Sequence, residues 1–376
     1  MARRKKPGAK GDLPRVRDVC KVLERIAPPA LAAEGDNVGL LIGDDAAEVR
    51  RLLLTIDLTE SVLRESRRAG AEMVMAYHPV IFKPISRFTA DALPVAYAAA
   101  RAGIAVYSAH TALDAAPGGT NDVLAEAVGL VETSPLEPLI RAGQHKLVAF
   151  VPPADLSRVA RAAFAAGAGR IGSYGECSFY TPGIGTFRGG PGARPAVGRA
   201  GRREEVEELR LEMLVPAGRL AEVVAAVRAV HSYETPAVDV YPLQELPDGA
   251  GMGRIGRLER PTSVPALVAR IKRALAVKRV LVAGNRRRRV NTLACCAGSC
   301  GRIFRSAVAG GADAYVTGEM RHHDALAAAK SLTVICVGHS NSERIALSRL
   351  AGRLRDALGE LKVTVSASDR DSFEIV

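Results

Sequence analysis

The chain has no tryptophan, and aromatic residues make up only 4% of it. Single-stranded nucleic acids are held largely by stacking on aromatic rings, so this scarcity argues against a base-stacking platform. No apolar run reaches the ~18–20 residues that a membrane span needs. No hydrophobic segment follows the basic N-terminus, as a secretory leader requires. A cytoplasmic protein is the expectation. A P-loop and a dinucleotide-binding glycine fingerprint are also missing, so a nucleotide would have to be held by dispersed basic side chains. The six cysteines (Cys20, Cys177, Cys295, Cys296, Cys300 and Cys336) lack the paired spacing of a zinc ribbon. In a reducing compartment they stay thiols. The cluster Cys295-Cys296-Ala297-Gly298-Ser299-Cys300 reads as small residues packed at a strand end, ahead of a thiolate site.

What is present is ordinary for a globular protein: 376 residues, 48% hydrophobic and 24% charged, enough for two or three domains. The formal charge is +12, and Arg3, Arg4, Lys5, Lys6 and Lys10 concentrate part of it in a Gly/Pro-containing tail. Residues 1–12 are expected to be disordered. Arg286 to Arg289 form a second basic run. Both are read as solvated segments, and nucleic acid is not an expected partner.

Apolar periodicity places a helix over Leu13 to Ile26 and then strands and helices in alternation: strand Arg51 to Leu58, helix Thr59 to Ala69, strand Glu72 to Ala76, helix Ala90 to Ala102, strand Ile104 to Ala109 and helix Asn121 to Val128. The pattern returns from Val264 onward and ends with strand Thr333 to Val337, a long helix from Ser342 and strand Val363 to Ser366. Such order implies α/β architecture, with mainly parallel sheets and helices on both faces. Between these halves, Pro135 to Gly143 reads as a linker. Strand Lys146 to Val151, helix Ala154 to Gly167, strand Tyr174 to Tyr180, a loop over Gly183 to Gly201, strand Glu205 to Val215, helix Ala217 to Val230 and strand Ala237 to Leu243 follow. That β–α–β–β–α–β order is the ferredoxin-like one. The expected organisation is a discontinuous α/β domain over 13–142 and 251–376, interrupted by an α+β insert over 143–250.

In open α/β sheets, ligands bind beyond the carboxyl ends of strands. Three such ends carry histidine and carboxylate: Tyr77-His78-Pro79, His110-Thr111-Ala112-Leu113-Asp114, and Gly338-His339-Ser340-Asn341-Ser342-Glu343. Imidazole with carboxylate suits zinc, iron, manganese or nickel. His339 and Glu343 are four apart where a helix begins and can face one point. His110 and Glu319 are candidates for orienting a ligand or serving as general base, and His322 and His323 for lining the pocket. His231 and Glu234 read as turn residues.

These segments, together with Asp36-Asn37-Val38-Gly39-Leu40 and Thr317-Gly318-Glu319 before His322-His323, resemble the NIF-three-like family, the dinuclear metal-centre hexameric proteins also described as GTP cyclohydrolase I type 2-like. The run Gly167 to Phe179, then Gly185-Thr186-Phe187 and His231 to Pro236, resemble the PII/CutA-like module that interrupts longer members. The resemblance implies two divalent metal ions per chain. One is held by His78, Asp114 and a bridging Glu343. The other is held by His339, Glu343 and the residue before His78, which is histidine in most of the family and Tyr77 here. A phenol, with an ordinary pKa of ~10, is a poor ligand until a metal deprotonates it. A weaker second site, ligation by Tyr77 and loss of the second metal all stay open. The resemblance further implies a toroidal homohexamer and metal-dependent hydrolysis of a small molecule, by its label GTP. The alternative is a non-catalytic regulatory hexamer that senses a small ligand through its insert.

Overall fold

The structure, a computed structural model, describes residues 13–139, 143–243 and 249–373. The chain divides into two compact units, Met1–Leu139 with Pro247–Val376, and Ile140–Leu246. The basic tail lies outside the described residues.

The first segment runs α1 (Val16–Ile26), β1 (Gly39–Ile42), β2 (Arg51–Thr55), α2 (Glu60–Ala69), β3 (Met73–Ala76), α3 (Pro94–Arg101), β4 (Ala105–Ser108), α4 (His110–Ala115), α5 (Thr120–Val128) and β5 (Leu130–Pro138). The inserted unit holds β6 (Gln144–Val151), α6 (Leu156–Ala165), β7 (Phe179–Arg188), β8 (Arg203–Pro216), α7 (Leu220–Val230) and β9 (Val238–Leu243). The chain then returns with β10 (Gly251–Ser263), α8 (Val264–Ala274), β11 (Leu281–Ala283), β12 (Arg289–Cys296), α9 (Phe304–Ala309), β13 (Ala314–Thr317), α10 (His322–Ala328), β14 (Thr333–Cys336), α11 (His339–Ala357) and β15 (Lys362–Val365).

Two sheets build the larger unit. The first has the order β1-β4-β3-β2-β15, and every pair is parallel except β1 with β4. Its strands are buried on both faces, as parallel strands between helices must be. Leu52 and Leu54 face the core shared with α1 and α11, while Leu53 and Val74 face that shared with α2 and α3. Thr59 caps α2 by accepting from the Val62 amide at 3.4 Å. The second sheet has the order β11-β14-β13-β12-β10-β5. Only its central pairs, β12 with β13 and β13 with β14, are parallel. Antiparallel pairs flank them on both sides, so the expectation of mainly parallel sheets holds for the first sheet and is corrected for the second. The strands that leave for the inserted unit and return from it, β5 and β10, pair with each other.

Two further expectations are corrected. Pro135 lies inside a nine-residue strand, not a linker, and Gly183 lies inside β7, not a loop. Both strands are sheet edges, where proline loses no ladder hydrogen bond and glycine is tolerated. The inserted unit is a four-stranded antiparallel sheet in the order β7-β8-β6-β9, with a core formed by Leu147, Val159, Leu211, Val223 and their neighbours.

Among the described residues, no helix is long and apolar enough to cross a membrane. Cys295 and Cys296 are fully buried on opposite faces of β12. Burial pushes the Cys295 thiol up to about 12, so it packs as a small apolar group. In the basic run, Arg288 donates to the Asp313 carbonyl at 3.3 Å and Arg289 to the Pro261 carbonyl at 2.9 Å.

Candidate metal centre

Register brings the site together. Thr55, Ala76 and Ser108 are aligned at the carboxyl ends of β2, β3 and β4, so Asp57, Tyr77 with His78, and His110 emerge side by side. Cys296, Thr317 and Cys336 are aligned in the same way in the second sheet, so Gly298, Glu319 and His339 emerge together. Backbone pairing continues past the strands: His78 donates to the Ile56 carbonyl at 3.0 Å, His110 to that of Tyr77 at 3.1 Å, and Gly338 to that of Gly318 at 2.9 Å.

His78, His339 and Glu343 converge, with their ligand atoms within 4.8 Å of one another. Glu343 is buried in the first turns of α11. Its Oε1 lies 3.3 Å from His339 Nε2, and its Oε2 lies 3.4 Å from His78 Nε2. The second contact lacks hydrogen-bond geometry, so the buried Oε2 has no hydrogen-bond partner. The far nitrogen of each ring is tied to a carboxylate: His78 Nδ1 to Asp57 at 2.8 Å and His339 Nδ1 to Glu319 at 3.0 Å. Such ties fix ring orientation and raise ligand basicity in metal centres. Two glycines make room. A Cβ on Gly298, whose φ is +70°, would lie 2.6 Å from Glu343 Oε1. Gly338, at φ +94°, starts α11, and a Cβ there would meet Asn341 Nδ2 at 2.6 Å. An unsatisfied buried carboxylate oxygen, two imidazole Nε2 atoms aimed at the same carboxylate and a wall that admits no side chain fit a divalent cation.

The other expected residues sit differently. The Tyr77 hydroxyl donates a short hydrogen bond to Asp114 Oδ1 and lies 2.8 Å from Thr120 Oγ1. Asn121 donates to the Asp114 carbonyl at 3.0 Å and accepts from the Ala297 amide at 2.9 Å. His110 Nδ1 is held by Asp36 at 2.7 Å, while its ring centroid lies 5.3 Å from that of His78. His322 and His323 meet edge to face at the exposed start of α10. In the inserted unit, His231 contacts the Phe150 carbonyl at 3.0 Å through Nε2, and Glu234 accepts from the Arg194 amide at 3.0 Å.

The electrostatics differ along the site. Burial works against the charge on His78, but its contacts with Asp57 and Glu343 outweigh this and raise it to about 10. Glu343, then Glu319, raise His339 to about 9 against burial. Burial would raise Glu343, yet the two histidines hold it below the usual carboxylate range. Burial first, then the Glu343 charge, lift Asp114 to about 7. Burial, reinforced by Asp114, raises Tyr77 well above the ordinary tyrosine value, so it is a phenol donor here.

The sequence pointed to no site role for Asp57 or Asn121, and Asp36 stood out only within the segment Asp36 to Leu40. Asp57 fell inside the expected strand Arg51 to Leu58; β2 ends at Thr55, and this puts Asp57 just past a strand, as the histidines are.

Fold and site together define an α/β protein whose larger unit, built on two sheets, carries a histidine–carboxylate group able to hold a metal. The chain belongs to the Duf34/NIF3 (NGG1p interacting factor 3) family, whose model matches residues 14–372. It is 36% identical over 367 residues to a Halalkalibacterium halodurans protein named GTP cyclohydrolase 1 type 2 homolog, spanning 95% of this chain and 98% of the relative. A Mycobacterium tuberculosis protein of the same name is 37% identical, over 92% of each chain. A solved Bacillus cereus protein related to NIF3 superposes with a TM-score of 0.70 at 34% identity, covering 97% of this chain and all of the other.

Proposed function

We propose that this chain is a divalent-metal-dependent hydrolase acting on a small, nucleotide-like substrate, with one cation held by His78, His339 and Glu343. The observation that carries the reading is the buried Glu343 Oε2 without a hydrogen-bond partner, between two imidazoles whose far nitrogens are tied to carboxylates. A cation there supplies Lewis acidity and lowers the pKa of water toward neutrality. Asp57 and Glu319 hold the two rings in place. His110, with Nδ1 occupied by Asp36, keeps Nε2 for proton exchange with a substrate. Glu319 has a half-exposed side chain and is tied to His339 Nδ1 through Oε1, which leaves Oε2 as the oxygen that can meet a substrate. The names of the relatives favour GTP: water adds at C8 of the purine, the imidazole ring opens and further hydrolysis releases formate. A second cation held by Tyr77 needs its hydroxyl to leave Asp114 Oδ1, and that hydrogen bond favours a single cation. A cytoplasmic homohexamer is part of this reading.

A second reading, a non-catalytic regulatory assembly, has one observation on its side. The inserted unit, whose strand order fits the ferredoxin-like arrangement, carries an open cavity of about 330 Å³ lined by Phe150, Phe187, Glu208 and Tyr233 among others, and the Tyr233 hydroxyl is buried without a hydrogen-bond partner. The experiment that decides is a nucleotide panel with zinc-, iron-, manganese- or nickel-loaded full-length protein, read by formate release. Turnover that disappears in Glu343→Ala supports the hydrolase. Metal bound without turnover on any nucleotide supports the regulator.

A further inference from the structure

Beside the metal centre lies a cavity of about 830 Å³, lined in part by Arg302, Arg305 and Arg321 with Glu319 and Asp324. Arg302 precedes α9, Arg305 lies in its first turn and Arg321 precedes α10, so separate turns of the second sheet's connections bring three guanidinium groups to one space. Arg305 rests over the Phe304 ring at 5.3 Å. Among the described residues, none of the three forms an ion pair with a carboxylate. Of the two lining acids, Glu319 is engaged by His339 Nδ1 at 3.0 Å, which leaves Asp324 facing three cations. Like charges gathered in one cavity repel one another, and an anion entering it relieves that cost. Guanidinium forks match the oxygens of a phosphate in pairs.

We infer that these three arginines form the subsite for the phosphate groups of a phosphorylated substrate. Glu319 lines this cavity and also touches His339, so a phosphate chain held there places the rest of the molecule at the metal centre. This supplies what the missing P-loop would otherwise provide. The inference rests on the hydrolase reading for the substrate's identity, but the subsite itself can be tested without turnover.

The test is calorimetric titration of metal-loaded, full-length protein with inorganic triphosphate, in excess magnesium so that the probe does not strip the metal centre. Guanosine serves as the phosphate-free comparison, and metal content is measured before and after. Each of R302A, R305A and R321A is expected to weaken triphosphate binding by about tenfold, and the triple variant by at least about a hundredfold. Guanosine binding and metal content are expected to stay unchanged, and Arg→Lys variants to recover part of the loss. No triphosphate binding by the parent, or an affinity within twofold of the parent in the triple variant, overturns the subsite. Triphosphate binding through the arginines without GTP turnover would remove the proposed reaction and keep the subsite. GTP turnover with an unchanged KM in the triple variant would do the reverse.

Discussion

The two ends of the site are built from the same residue types and are satisfied in opposite ways. On one side, His78 and His339 point Nε2 at a carboxylate that keeps one buried oxygen without a hydrogen bond. On the other, Tyr77, Asp114, Thr120 and Asn121 close on one another, and His110 closes on Asp36. Buried polar groups are nearly always paired, so the unpaired oxygen marks where a ligand belongs, and the paired network marks where protein already fills the space. A histidine at a strand end is therefore not a ligand by position alone. What its far nitrogen touches, and what its near nitrogen faces, decide the matter.

The largest effect should come from removing the shared carboxylate. Glu343→Ala is expected to weaken metal binding at least about a thousandfold, because one residue faces both histidines, and elemental analysis after dialysis should find almost no metal. If metal content persists, the open side is misassigned. The support beneath the closed side comes next. Arg254, only 2% exposed, forks onto Asp122 of α5 at 2.5 and 2.7 Å and donates to the carbonyls of Gly251 and Gly253. That helix carries Thr120 and Asn121. Asp122→Ala leaves the buried guanidinium unpaired and should cost about 3–5 kcal/mol in denaturant unfolding. A loss below ~1 kcal/mol would show that α5 is held by its apolar face alone.

A smaller effect sharpens the comparison from the open side. Asp57→Ala frees His78 Nδ1 and should weaken metal binding by about ten- to a hundredfold, whereas Asp36→Ala, which frees His110 on the closed side, should leave metal affinity unchanged. Equal effects would erase the distinction. The dependence on pH follows from the same geometry. With His78 raised to about 10 and His339 to about 9, both rings of the metal-free protein carry protons at pH 7, and a metal must displace them. Apparent affinity should therefore rise between pH 6 and 8, by up to about a hundredfold per unit if both protons leave. Stability of the metal-free protein should run the other way. Folded values above the unfolded 6.5 give a contribution that is full below about pH 6.5 and is lost as pH rises through 9 to 10. Chelator competition and thermal unfolding at several pH values measure the two trends, and parallel trends would contradict the assignment.

Much of this was legible in the sequence. Buried strands such as Met73–Ala76 and Ala314–Thr317 announce themselves as short apolar runs, and α11 through its apolar stripe. Two edge strands, β5 and β7, were hidden because Pro135, Pro182 and Gly183 are breakers only where a ladder needs their backbone. β10 was missed because glycines and charged residues obscure its alternation. At the site, residue types at strand ends located the centre. The hydrogen bond between Tyr77 and Asp114 joins positions 37 apart in the chain, and no local pattern encodes it, so only the fold shows that Tyr77 is already paired.

On the proposed reading, one cation binds at His78, His339 and Glu343, while Tyr77 is held at the neighbouring position by Asp114. Metal content of dialysed full-length protein, compared between the parent and Tyr77→His, tests it most directly. About one divalent ion per chain is expected in the parent and a rise toward two in the variant. Two ions in the parent, or the same content in both proteins, would contradict it.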